Sequence, residues 1–402
     1  MKSHVSFSPA TRPARPEAVR SARAADSNEP LALLCPGPVN TTPRVRLAMA
    51  RLDLAHRDRA FVEVLDRLRA RIRAVAGAPD HEALVVAGSA TGATEAALAT
   101  FLAPEERLLV VSNGAFGERI AQIAEALELP VSHLRYDWGE PIVLEQIVAL
   151  LDGDPRIKAV AMVHHETSVG VLNPVTEVGR LLAPRRIRYF LDVVSSLGAE
   201  EFDAARVRAS VLIGSANKCL HGVPGVAFVL VKPGLWEETA HVKPRSLYLD
   251  LTRYRACAIE NGQTPYTPAV PAIAALDEAL RELEEEGGVP ARRARYRALN
   301  DRVRTGLKAL GLKLKFEDAV SSSSLTVAHL PPGVSFDQLY ARLRERGFLV
   351  YRGKGPLSHD CFLVANMGHL DLETIDRFLD AMAELTGIER LDAERRTRAL
   401  RA

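Results

Sequence analysis

The strongest constraint on this chain is an alternation that begins near residue 60. "EALVVAGSATGATEAALATFL" reads as an apolar strand, a small-residue turn and a helix, and "RLLVVSNGAFGERIAQIAEALEL" repeats that plan. "IKAVAMVHHETSVG", "IRYFLDVVSSLGA" and "ASVLIGSAN" are further apolar runs that end in polar residues. Such alternation predicts an α/β chain with a largely parallel sheet covered by helices on both faces. In that architecture ligands gather beyond the carboxyl ends of the strands. The polar ends "GSATG", "NGAF", "HETS", "LDVVSS" and "SANK" are therefore expected to converge on one site.

After about residue 270 the pattern changes. "PAIAALDEALRELEEEGG" and "RRARYRALNDRVRTGLKALG" have the spacing of long amphipathic helices. Short strands near "SSSLTVAHL", "FLVYRG" and "CFLVANMG" follow, then a helix in "DLETIDRFLDAMAEL". This predicts a large domain over 31–275 and a smaller α+β domain over 276–390. Residues 1–30, rich in Ala, Arg, Pro and Ser, and residues 391–402 read as tails.

Composition narrows the partners. The 402 residues carry 52 basic and 50 acidic side chains, a formal net charge of +2, which gives no reason to expect nucleic acid or an anionic membrane. The four cysteines, Cys35, Cys219, Cys257 and Cys361, show no CxxC spacing, which argues against a structural zinc site or a disulfide framework. No metal is expected, and a reducing, cytoplasmic setting is the simplest inference. No apolar run approaches the length of a membrane span.

Lys218, in "GSANKCLHGVPG", stands at the mouth of an apolar strand. A buried lysine is costly unless its charge is removed or paired. An arbitrary loop lysine reaches back to solvent along its stem; the alternative is a lysine that forms an imine with a carbonyl compound. Asp192 ends the run "YFLDVV", where a carboxylate needs a charged or donating partner, and a protonated pyridine nitrogen would serve. Ser89, Ala90 and Thr91 form a turn of small residues whose backbone N–H groups can face an anion. Phe116 is an aromatic at the next turn, Thr167 a hydroxyl at a strand end, and His165 a further candidate for lining the pocket. Taken singly, each has an ordinary structural reading as a cap, a core ring or a satisfied polar group. Together, an imine lysine, a pyridinium-paired aspartate, an anion loop and a stacking ring describe a site for pyridoxal 5'-phosphate.

The motifs "PGPVNTTP", "HHETSVGVLNP", "LDVVSSLGAEEFD" and "SANKCLHGVPGVAFVLV" resemble those of class V, fold-type I aminotransferases, on the branch of the 2-aminoethylphosphonate–pyruvate transaminases and their alanine–glyoxylate relatives. The resemblance runs from residue 33 to about residue 385. It implies a mostly parallel, seven-stranded-type sheet, Lys218 as the cofactor lysine, Asp192 as the pyridinium partner and Phe116 as the stacking ring. It further implies Thr167 at a ring oxygen, Ser89 to Thr91 at the phosphate, and a homodimer in which Thr267 of "TPYTPAV" reaches the neighbouring subunit's phosphate.

Two departures qualify the match. Ala90 stands where the phosphonate transaminases usually carry glycine. Leu363, in "CFLVANMG", stands where the family's arginine grips a carboxylate, and leucine cannot replace a guanidinium fork. Arg352 in "VYRGKG" and Arg57 in "AHRDRAF" are the candidates to take over anion binding. The activity implied is transfer of an amino group between a small amine, foremost 2-aminoethylphosphonate, and an oxo-acid such as pyruvate. An alanine– or serine–glyoxylate-type aminotransferase, a lyase or decarboxylase lacking the clamp, and a non-catalytic relative are the rivals.

Overall fold

Seven apolar segments pair into one sheet: β1 (Glu82–Ala87), β2 (Arg107–Ser112), β3 (Val131–Arg135), β4 (Ile157–Val163), β5 (Arg188–Asp192), β6 (Val211–Ser215) and β7 (Val226–Val231). Their order across the sheet is β1-β7-β6-β5-β4-β2-β3, and β7 alone runs antiparallel to its neighbours. The computed structural model describes residues 31–50, 53–316 and 320–387, so the expected tails 1–30 and 391–402 lie outside the described residues. The α/β architecture with a largely parallel sheet is as the alternation predicts, and its seven strands are as the resemblance implies.

Both faces of the sheet are buried, which is why its strands read as nearly continuous apolar runs. Alternate residues go to opposite layers. Val85, Leu109, Val111, Tyr189 and Leu191 pack with helix α1 (Arg59–Val75), whose Phe61, Leu65, Leu68 and Ile72 form one stripe. Leu84, Val86, Leu108, Val110 and Phe190 pack with α2 (Ala90–Phe101) and α3 (Ala115–Ala126) on the other side. The alanine-rich face of α2, with Ala93, Ala96 and Ala97 fully buried, lets that helix lie close to the sheet.

The expected break at 275/276 falls inside a helix, α4 (Val270–Glu286), whose Ile273, Leu276, Leu280 and Leu283 belong to the core of the large sheet. The core of the smaller layer is assembled after Gly287, from α5 (Gly288–Ala309), the antiparallel sheet β8-β10-β9 (Leu325–His329, Cys361–Ala365 and Tyr351–Arg352), and α6 (Leu372–Thr386). The first described residues join this layer rather than the large one: Ala32–Leu33 pairs in parallel with Phe348–Leu349, and Leu34 is buried in the same core. The described residues form one compact unit. No helix among the described residues is long and apolar enough to cross a membrane.

One close approach offers a test of the packing. Gly179, in the helix Val175–Leu182, faces the backbone at Val207 so closely that a Cβ would meet the Val207 carbonyl oxygen. Neither element can yield cheaply, because the contact is with main chain. Gly179→Ala is expected to lower the unfolding free energy by about 3 kcal/mol, read as a lower urea midpoint at unchanged slope.

Candidate functional site

Because β1 to β6 run the same way, their carboxyl ends open on one side of the sheet. There, Ser89, Ala90, Thr91, Phe116, Arg119, Asp192, Asn217 and Lys218 line a cavity of about 190 Å³. A larger cleft of about 940 Å³ lies at the opposite, amino ends of the strands, among residues 77–81, 183–188, 204–210 and 232–238. None of the residues singled out above lines it.

Lys218 lies three residues beyond β6, in a turn closed by Gly222 N–H to Ala216 O at 2.8 Å and His221 N–H to Lys218 O at 3.0 Å. The turn is pinned from the smaller layer. Buried Arg292 donates to Cys219 O at 3.0 Å and to Glu286 at 2.8 Å, and His221 Nε2 meets Tyr296 Oη at 2.6 Å. The Lys218 ammonium donates to the carbonyl of Pro36. Its stem runs against Gly37, where a Cβ would come within 2.5 Å of Lys218 Cδ and where φ is +91°. Burial pulls the Lys218 pKa down to about 8; Lys354 pushes the same way, while Cys219, Asp192 and Cys35 oppose the shift. A lysine so placed surrenders its proton easily, as an attacking amine must.

Asp192 is the last residue of β5, held in register between Val163 of β4 and Ile213 of β6. Its Oδ1 accepts from Val194 N–H at 2.8 Å. Burial raises its pKa to about 7; the Val194 hydrogen bond, Lys218 and Arg119 lower it, and nearby Glu166 raises it. Such a carboxylate is an incomplete ion pair: a cation brought against it would restore its charge.

Glu166, which the sequence reading passed over between His165 and Thr167, organises the far wall. It is fully buried, and its Oε2 accepts from Phe116 N–H and Gly117 N–H, both at 3.0 Å, at the start of α3. Its Oε1 accepts from Ser168 N–H at 3.1 Å and Ser168 Oγ at 2.5 Å. Burial nonetheless raises its pKa, against the pull of these bonds. This cap aims Phe116 from the helix N-terminus. Beside it, Thr167 is 1% exposed, and its hydroxyl has no hydrogen-bond partner among the described residues. His165 Nδ1 lies 3.0 Å from Ser195 O, so that nitrogen carries the hydrogen and the buried, unpartnered Nε2 is a bare acceptor. Burial lowers the His165 pKa to about 4, which keeps the ring neutral.

The anion cradle is the N-terminus of α2. Ser89 occupies the cap position with no side-chain hydrogen bond to the helix, and a Cβ added at Gly88 or Gly92 would meet nothing within 4 Å. Open backbone donors at a helix start suit a phosphate. Ala90 is the first helical residue and is not among the non-glycine positions with positive φ, so the change from glycine costs no strain here. The site thus fits pyridoxal phosphate on its own terms: a buried amine, a carboxylate short of a cation, an orphaned hydroxyl, a ring at a turn and an open helix N-terminus.

Five sequence candidates stand outside the lining of the cavity: Thr167 and His165, placed above, and Thr267, Arg57 and Arg352. Thr267 is exposed, with Oγ1 3.5 Å from His56 Nε2. Arg57 braces the segment leading to it, donating to Gln263 at 2.8 Å, Thr264 O at 2.7 Å and Pro265 O at 3.0 Å. Arg352 is held by Asp337 at 2.6 Å and lies over the Phe336 ring at 4.7 Å. In the β9–β10 pair it sits opposite Phe362, whereas Tyr351 sits opposite Leu363. Arg352 is thus on the face of the strand away from the clamp position, and the expected relocation to it has no support in its placement. Leu363 is 1% exposed in an apolar cluster with Val39, Leu357 and Met367.

The family description "Aminotransferase class-V" matches residues 47–360. A 2-aminoethylphosphonate–pyruvate transaminase of Salmonella paratyphi C is 37% identical over 359 residues, covering 87% of this chain and 96% of the relative; that of Salmonella typhimurium gives the same figures. Among solved structures, an alanine–glyoxylate aminotransferase from Nostoc sp. is similar with a TM-score of 0.85 and 26% identity over 92% of this chain and 97% of its own. A ureidoglycine–glyoxylate aminotransferase from Bacillus subtilis is similar with the same TM-score and identity, over 91% of this chain and 97% of its own.

Thr167 tests the fit without any assay of turnover. Its buried, unpaired hydroxyl costs the ligand-free protein about 1–3 kcal/mol. Thr167→Val is therefore expected to raise the urea midpoint of the cofactor-free protein while weakening its affinity for pyridoxal phosphate by about ten-fold. Equilibrium unfolding and fluorescence titration with the cofactor measure the two effects.

Proposed function

This chain belongs to the class-V aminotransferases, which depend on pyridoxal phosphate, and from that premise we propose that it moves an amino group between 2-aminoethylphosphonate and pyruvate. The observation that carries the substrate choice is the 37% identity, extending over 96% of relatives that bear that name. Likeness to the alanine–glyoxylate enzyme at 26% identity supports a second reading, transfer from alanine or serine to glyoxylate.

When bound, the cofactor supplies an electron sink for the pair released from the substrate's C–H bond. The chain supplies everything around it. Lys218, its pKa drawn down to about 8 by burial, offers the amine that carries the cofactor, and once released it is the base that takes and returns the proton at the substrate carbon. Asp192 would hold a proton on the cofactor's ring nitrogen, a cation that would in turn restore the carboxylate's charge. Ser89, Ala90 and Thr91 would hold the phosphate at the start of α2, Phe116 would support the ring from the start of α3, and Thr167 would offer its hydroxyl as a donor. Pro36 and Gly37 keep the lysine stem in one channel.

The site is completed, on this reading, by a second copy of the chain. Thr267 is exposed on a segment that Arg57 and Arg69 fasten through its carbonyls, with Arg69 donating to Gly262 O at 2.7 Å. Leu247, Tyr248 and Ile259 are large apolar side chains left exposed in the neighbouring segments. A homodimer would cover them and bring Thr267 to the other subunit's phosphate cradle.

The test is a single half-reaction. Addition of 2-aminoethylphosphonate alone to the cofactor-loaded protein is expected to bleach its yellow colour, and pyruvate alone is expected to restore it. Bleaching by alanine or serine, with glyoxylate as the better acceptor, would favour the second reading. Borohydride reduction and peptide mapping are expected to place the cofactor on Lys218 and on no other lysine. Asp192→Asn is expected to lower turnover by about 10²-fold or more while retaining cofactor, because the phosphate cradle is untouched. Sedimentation is expected to show a dimer, and Thr267→Ala is expected to weaken cofactor affinity without dissociating it.

A further inference from the structure

Leu363 leaves the small layer's wall of the site without a guanidinium, yet two cations meet at the ring of Phe116, which lines the cavity. Arg119 lines it and lies 4.9 Å from the centroid of the Phe116 ring; Lys354 Nζ lies 4.7 Å from the same centroid. Among the described residues neither is within ion-pair distance of a carboxylate. The acid that Lys354 senses is Glu166, whose two oxygens are already taken by the start of α3 and by Ser168. Burial and Arg119 both lower the Lys354 pKa, so the two like charges oppose each other. Two cations gathered on one ring with no anion between them are an electrostatic arrangement that a bound dianion completes.

The backbone that presents Lys354 is fixed. Gly353 N–H bonds Cys361 O at 2.9 Å, and Leu357 N–H bonds Lys354 O at 2.9 Å as the turn Gly355–Leu357 begins. Gly355 packs on the Trp138 ring, where a Cβ would fall within 2.7 Å, and has φ +49°. The chain therefore turns after Arg352, which stays with Asp337, and brings the next cation to the Phe116 ring at the cavity's edge instead. From that anchored position the four-carbon stem lets the ammonium leave the ring for an anion.

We propose that Lys354 and Arg119 form the subsite for the substrate's anionic group, a tetrahedral phosphonate dianion, in place of the carboxylate clamp that Leu363 has removed. The proposal rests on the transaminase reading for the identity of the substrate, but the subsite can be tested without amino transfer. Arg119 offers a fork of donors and Lys354 a mobile point charge, which together suit three phosphonate oxygens better than one planar carboxylate. The same pair would hold pyruvate's carboxylate more loosely.

The test uses cofactor-loaded protein and calorimetric titration with ethylphosphonate, which has no amine to react, and with propionate as the monoanion of similar length. Wild-type protein is expected to bind ethylphosphonate about ten-fold tighter than propionate. Lys354→Met is expected to weaken ethylphosphonate by about ten-fold or more, with little change for propionate, and Lys354→Arg is expected to restore most of the loss. Unchanged ethylphosphonate affinity in Lys354→Met, absence of ethylphosphonate binding in the wild type, or failure of Lys354→Arg to restore it would each overturn the subsite. If Lys354→Met leaves binding unchanged while the wild type still consumes 2-aminoethylphosphonate, the subsite falls and the transaminase reading stands. If ethylphosphonate binds through Lys354 but 2-aminoethylphosphonate is not consumed, the substrate reading falls and the subsite stands.

Discussion

The site depends on how one buried carboxylate is neutralised. Glu166 has no exposure to solvent and, among the described residues, no salt bridge, and its charge is met by backbone donors at the start of α3 and by Ser168. Helix N-termini favour a negative charge and leave N–H groups unpaired, so the two needs cancel. The consequence is mechanical as well as electrostatic. The cap locks the start of α3, with Phe116 and Arg119, to the chain just beyond β4, with His165 and Thr167. Two walls that come from different βα units are thereby held as one surface.

The opposite wall is arranged by contrast, since its charges are left partly unmet. Asp192 is pushed up to about 7 and Lys218 down to about 8, each by burial, so each favours its neutral form more than it would in water. A cofactor with a cationic ring nitrogen and an electrophilic carbon would answer both groups at once. Binding energy and reactivity here have the same source: groups that are ill at ease alone.

Much of this was legible in the residues, and the rest was hidden for definite reasons. The alternating pattern named the large sheet and the ends of its strands, and six of the expected residues line a single cavity. Lys218 and Asp192 could be read because charge at the end of an apolar run is rare. Glu166 was missed although it stands between two residues that were singled out, because its partners are backbone groups of residues 116 and 117, which carry no side-chain signal. Arg119 was within reach: it lies three residues after Phe116 and so shares its helix face. Arg352 was singled out and Lys354 passed over because nothing in "VYRGKG" discloses the register with Cys361–Ala365, or that the strand turns at Gly353. The pairing of Ala32–Leu33 with Phe348–Leu349 spans more than three hundred positions, beyond the reach of any local pattern.

The tie between the two layers has a dynamic corollary. Arg292 and Tyr296, both on α5, grip the turn that carries Lys218, through Cys219 O and His221, and Tyr296 Oη also accepts from Gly368 N–H at 2.8 Å. A rotation of the small layer as a rigid body would have to drag that turn along or break buried hydrogen bonds. The amides of residues 216–222 should therefore exchange with deuterium as one cooperative block with those of α5, rather than with the rest of the sheet. In such a molecule the amine of Lys218 is carried in the large layer but kept in position by the small one.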